Sequence, residues 1–217
     1  MCCGIGAERW IFLENNSGRW QRADITLDQG KFLKYCLDKA KRTTVIVQPN
    51  VRNHPAVAQF SRGGLCTLRV VTYKFPGHEP EMLVTSWRMP TGHGETDNFE
   101  GGGIAAGVNE QGILKAAAGK DVRLGIISHH PDTNAPIKGA KLPYWKEMTE
   151  LALSAHKHFQ MPIFIGWDIA LTHEGPLVVE ANTTWSVDLI QMSHNQPIMD
   201  IRFGEIFNSA LALSNAP

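Results

Sequence analysis

Apolar and polar residues change period several times along the chain. In "DITLDQGKFLKYCLDKA" (24–40), Phe32, Leu33, Cys36, Leu37 and Ala40 recur at helical spacing, which predicts a turn and then a helix. "TTVIVQP" (43–49) reads as a short buried strand stopped by Pro49. "CTLRVVTYK" (66–74) and "EMLVTSWRM" (81–89) read as two strands separated by the turn residues of "FPGHEP". "NFEGGGIAAGVNEQGIL" (98–114) reads as a glycine-rich loop, a strand and a turn. "SHHPDTNAPIKGAKLP" (128–143) is a polar loop whose Pro143 leads into a helix over 144–159. That helix has Trp145, Met148, Leu151, Ala152 and Ala155 on its apolar face. "IFIGWDIAL" (163–171) and "PLVVEA" (176–181) form a strand pair, and "IMDIRFGEIFNSALAL" (198–213) a closing helix. Strands come in runs rather than in strict alternation with helices, so the fold class is α+β.

The strand pair at 163–181 carries polar residues that its pattern does not require. Alternation projects Glu180 and Asn182 from one face. Asp168 lies on the preceding strand, across a turn at residues 173–176, and antiparallel pairing brings it opposite the Glu180 region. The three make an oxygen-only set, which suits Mg²⁺. The alternative places both acids at exposed strand ends and starts a turn at Asn182. The flanking Phe164, Ile165, Ile169, Leu177, Val178 and Val179 argue against it, because an unpaired carboxylate is costly among them.

Composition narrows the partners. The 217 residues suffice for one large domain or two small subdomains, with 43% hydrophobic and 19% charged residues. Lys plus Arg (21) equals Asp plus Glu (21), so no bulk field points to nucleic acid or an anionic membrane. Cys2, Cys3, Cys36 and Cys66 form neither a disulfide framework nor a zinc spacing. With no secretory leader and no membrane-length apolar stretch, the expected location is the cytoplasm. His129 and His130 are adjacent, so an extended chain points them to opposite sides, which disfavours joint chelation.

The strand-pair signature resembles the C-terminal signature of ATP-grasp enzymes. "TLRVVTY" with Arg69, "SWRMP" with Arg88, and "NFEGGG" with Asn98 and Gly101, Gly102 and Gly103 follow the order of α-L-glutamate ligases of that superfamily. The chain is most similar to the sugar-transferase-associated branch, through His130-Pro131-Asp132-Thr133 and the run from Gly139 to Trp145. The likeness covers residues 43–192. It implies an ATP-grasp fold, a mostly antiparallel sheet flanked by helices, with residues 1–50 as the remainder of a small lid subdomain and 51–217 as the catalytic subdomain. Compared with full ligases the chain reads as N-terminally truncated. The lysine strand and first domain would then come from elsewhere, such as an N-terminal partner.

The resemblance also implies the chemistry. ATP phosphorylates a small-molecule carboxylate, and an amine or other nucleophile displaces the phosphate. Asp168, Glu180 and Asn182 would hold Mg²⁺ or Mn²⁺, and Arg69 and Arg88 would supply planar forks for phosphate or acyl-phosphate. Asn98 would orient the acyl group or a phosphate. Val47 and Gln48 would meet the adenine through their backbone, and the glycines would let backbone approach a ligand. Two other readings stand beside this one. One is a non-catalytic nucleotide- or partner-binding remnant. The other is a metal-dependent hydrolase using His129 or His130 with Asp168.

Overall fold

The computed structural model describes residues 13–14, 20–22, 25–45, 50–92 and 97–214. The chain divides into two units, one within Cys3–Val51 and one over Arg52–Pro217. In the first, β1 (Leu13–Glu14), β2 (Trp20–Arg22) and β3 (Ile25–Leu27) form an antiparallel sheet in that order. Helix α1 (Gln29–Ala40) follows, capped by Asp28, whose carboxylate accepts the Lys31 N–H at 2.8 Å. The helical periodicity is therefore realised, but none of its residues is buried, and Leu33 and Leu37 are 59% and 57% exposed. Of the strand expected at 43–49, residues 46–49 lie outside the described residues, and Val47 and Gln48 with them.

The second unit is built on a six-stranded sheet in the order β7-β6-β5-β4-β8-β9. The strands are β4 (Thr67–Tyr73), β5 (Glu81–Met89), β6 (Ile104–Val108), β7 (Leu114–Gly119), β8 (Phe164–Thr172) and β9 (Gly175–Asn182). Every pairing is antiparallel. Strand β4 sits in the middle, and all of its residues are buried. Its β-branched run suits a strand covered on both faces.

The two faces have different jobs. On one, Leu68, Val70, Trp87, Ile104, Trp167, Ile169 and Leu171 join Met148 and Ala152 of α2 (Trp145–Lys157) in the main core. Trp145, Leu151 and Ala155 pack against that core, so the whole apolar stripe expected of this helix is used. On the other, Val71, Val84 and Ala105 meet Leu189 and Ile190 of α3 (Val187–His194), along with Trp185 and Ile198. Phe203, at the start of α4 (Phe203–Ser214), completes that cluster. The closing helix expected from residue 198 thus begins at Phe203, after a 3₁₀ turn at Ile198–Asp200. Among the described residues no helix is long and apolar enough to cross a membrane.

A polar seam runs beneath α2. Trp167 Nε1 donates to Thr72 Oγ1 at 2.8 Å, and that hydroxyl lies 2.7 Å from His156 Nδ1. With the Thr72 hydrogen on Nδ1, His156 is neutral and Nε2–H faces Pro162 O at 3.4 Å. On the opposite face His194 Nε2 donates to Thr85 O at 2.9 Å. Burial lowers the pKa of both imidazoles. The unfolded chain therefore takes up protons first as pH falls, and the folded state loses stability below the ordinary histidine range, about 6.5. Thermal melts should show the midpoint falling from pH 7.5 to 5.5. A His156→Gln, His194→Gln double variant should show a shallower dependence.

Candidate functional site

The register of the sheet gathers the charged residues. Arg69 on β4 pairs with Asp168 on β8, and Asp168 pairs with Glu180 on β9. Thr67 pairs with Arg88 on β5, and Gly166 pairs with Asn182. Directly paired residues share a face, and so do residues two apart. Four neighbouring strands therefore present Arg88, Arg69, Asp168, Glu180 and Asn182 together, on the face that carries α3 and α4. A bulge helps: the register shifts between Asp168 and Ile169, with Ile169 opposite Val178, so Val179 is the extra residue. That extra residue sets Glu180, rather than its neighbour, opposite Asp168.

Asp168 is the centre of the set. Arg69 donates to it through Nε (2.5 Å to Oδ1) and Nη2 (3.2 Å to Oδ2), a fork-on-fork contact. Arg88 Nη1 reaches Oδ2 at 2.7 Å. Arg69 also donates through Nη1 to Trp185 O at 2.6 Å. The segment carrying Trp185 lies directly on β8, because a Cβ at Gly166 would stand 2.3 Å from Trp185 Cβ. Only glycine allows that approach.

A further acid joins from outside the strands. Asp97 lies in the loop before the glycine turn, is 7% exposed, and accepts a hydrogen bond from the Thr67 hydroxyl. Arg88 Nη2 is 3.1 Å from Asp97 Oδ1 and donates to Asp97 O at 3.3 Å. Sequence reasoning missed Asp97, which sits in a polar loop with no periodicity to mark it. Arg69, Arg88, Asp97 and Asp168 are all buried. Burial alone would raise the Asp168 carboxyl, but Arg88 and Arg69 outweigh it and hold it below its usual range. For Asp97 burial prevails and raises the carboxyl, although Arg88 pulls the other way.

The site keeps uncommitted groups. Glu180 is half-buried and has no hydrogen-bond or ion-pair partner among the described residues. Asn182 Nδ2 and Arg88 Nε are buried without partners. Three carboxylates face two guanidiniums, so the set complements an added cation. Among the described residues no three His, Cys, Asp or Glu side chains group as a metal site. A cation here would therefore draw on the Asn182 amide as well.

The other expected residues are placed differently. Asn98 caps a turn: its Oδ1 accepts from Glu100 N at 3.2 Å, and its carbonyl accepts from Gly101 N and Gly103 N, each at 3.0 Å. Gly102 takes the left-handed conformation, with φ of 100°. Lys120 ties this turn to α3 by bridging Glu100 and Asp188. His130 is buried and commits both ring nitrogens to backbone. Its Nε2 donates to Pro90 O (2.9 Å), and its Nδ1 accepts from Asp132 N (3.3 Å). Neither it nor His129 is among the hydrogen-bond partners of Asp168, which are Arg69 and Arg88, so nothing here supports the hydrolase reading.

A six-stranded antiparallel sheet flanked by helices is an α+β architecture consistent with an ATP-grasp domain. Residues 31–202 match the family described as sugar-transfer associated ATP-grasp, and the chain belongs to that family. No curated protein and no solved structure matches it.

Removing one partner of a buried ion pair leaves the other uncompensated. Arg69→Met should lower unfolding free energy by about 3–5 kcal/mol in urea denaturation. Lys120 is 46% exposed, and its loss in Lys120→Ala should cost no more than about 1 kcal/mol. Equal losses would show that the buried network is not a stability determinant.

Proposed function

We propose that the chain is an ATP- and Mg²⁺-dependent ligase, or the catalytic portion of one, joining a small-molecule carboxylate to an amine or another nucleophile. The carrying observation is one sheet face that holds two buried arginines beside an unpartnered Glu180 and an uncommitted Asn182 amide. Asp168, Glu180 and Asn182 offer oxygen donors only, which fits a hard divalent cation. A carboxylate has about four acceptor positions, and the arginines use three of those on Asp168, leaving one. When bound, the cation supplies charge neutralisation for phosphate oxygens.

The chain's own groups do the rest. Arg88 Nε–H and the remaining N–H groups of both guanidiniums donate to the transferring phosphoryl group and stabilise its developing charge. The acceptor carboxylate attacks the γ-phosphorus and ADP departs. The nucleophile then attacks the acyl carbon, phosphate leaves, and the nucleophile gives up its proton. Burial of the arginines excludes water that would hydrolyse the acyl-phosphate. In this reading residues 1–50 belong to a lid and 51–217 to the catalytic subdomain. Gly101–Gly103 shape the wall before β6, with Asn98 as their brace. A second reading, nucleotide binding without turnover, is favoured by the guanidinium contacts that already occupy Asp168.

Glu180→Gln tests the assignment without disturbing the buried pairs. Calorimetry with ADP and Mg²⁺ should show affinity reduced by about tenfold or more, with an unchanged melting midpoint. Equal binding by the variant and the wild type would remove Glu180 from the site. ADP release with carboxylate and amine panels separates the ligase from the non-catalytic reading.

A further inference from the structure

We infer that Asp97 is a positioning residue that holds Arg88 in the site while a divalent cation takes up Asp168. The inference rests on the reading of Asp168, Glu180 and Asn182 as cation ligands. It starts from competition for one oxygen. Asp168 Oδ2 receives both Arg88 Nη1 (2.7 Å) and Arg69 Nη2 (3.2 Å). A cation drawing on the same carboxylate weakens what Asp168 offers to both arginines.

Each arginine has a second acceptor that does not depend on Asp168. For Arg69 it is the Trp185 carbonyl at 2.6 Å. For Arg88 it is Asp97, with the carboxylate at 3.1 Å and the backbone oxygen at 3.3 Å from Nη2. The Asp97 carboxyl is the ionisable one of the two, and it lies at ion-pair distance from Arg88. Without it, a cation on Asp168 would leave Arg88 buried and poorly compensated, which is strongly unfavourable. With it, the guanidinium keeps a counter-charge and stays where its unpartnered Nε can meet an acceptor.

Asp97 is itself fixed by the strand pair that presents Arg88. Its carboxylate accepts from the hydroxyl of Thr67, and Thr67 is the direct cross-strand partner of Arg88. The loop acid, the threonine and the arginine are therefore linked to one another by direct contacts. A hydroxyl at position 67 thus has a task that its place in a buried strand does not by itself require. The arrangement makes cation affinity depend on a residue that does not touch the cation, as outer partners of metal ligands do.

The test uses the full chain, with Mn²⁺ alone as the probe, followed by electron paramagnetic resonance. ADP titrations with and without Mg²⁺ accompany it. Asp97→Asn should weaken Mn²⁺ binding about 10–100-fold and should weaken ADP binding only when Mg²⁺ is present. A merely structural role would weaken ADP binding equally with and without the metal, and that result overturns the proposal. Thr67→Val keeps every charge but frees the Asp97 carboxylate, so it should weaken Mn²⁺ binding in the same direction by a smaller factor. It also carries the test if Asp97→Asn does not fold. Unchanged Mn²⁺ affinity in Thr67→Val would show that Asp97 acts through charge alone and would overturn positioning. Wild-type binding that is equalled by Asp97→Asn sinks only this inference. Failure of the wild type to bind Mn²⁺ sinks the cation-site reading and this inference with it.

Discussion

Two guanidinium groups and one carboxylate lie out of water on the inner strands of one sheet, joined by the buried carboxylate of a loop residue, and their mutual pairing is the constraint that the rest of the fold obeys. Arg69 and Asp168 face each other across β4 and β8, two adjacent inner strands of the six-stranded order. A one-residue slip between these strands would turn one of them into the apolar core beneath α2. There Leu68, Val70, Trp167 and Ile169 could offer no counter-charge. The ion pair adds little favourable energy of its own, since desolvation offsets most of its attraction. Its structural effect is to make the wrong registers expensive.

The face opposite α2 then serves two purposes along the same strands. Arg69 and Val71 are two residues apart on β4, and Val71 already belongs to the apolar cluster with Leu189, Ile190 and Phe203. The charged network therefore abuts well-packed hydrophobic residues with no irregular backbone between them. Gly166 is what allows this economy of space, because Trp185 rests on its missing side chain while giving its carbonyl to Arg69.

The main strands were legible because their signal is local. β4, β5 and β8 are runs rich in β-branched, aromatic and other apolar residues bounded by Gly and Pro, and β5 falls at residues 81–89 as the pattern indicates. β7 was not legible: "LKAAAG" is half alanine, and the sheet overrides its weak propensity. α3 spans eight residues, too few for a periodicity to stand out. In the site, the shared face of Glu180 and Asn182 followed from alternation. The bulge at Val179 that aligns Glu180 with Asp168 carries no sequence mark. The contact of both arginines with Asp168 is likewise a product of three strands meeting, separated by 80 and 99 residues in the chain. Asp97 shows the same limit more sharply, since a loop acid gives no hint of which strand it will fall upon.

Strand β9 occupies the end of the sheet order and, among the described residues, pairs only with β8. Glu180 and Asn182 thus ride on a strand held by one ladder of hydrogen bonds, whereas Arg69 rides on a strand held by two. The two edges of the site differ in compliance for that reason alone: Arg69, Arg88 and Asp168 ride on strands held by two ladders, and the β9 donors Glu180 and Asn182 can give. Local opening costs least where one ladder must break rather than two. Glu180 and Asn182 can therefore shift at lower cost than Arg69 and Arg88.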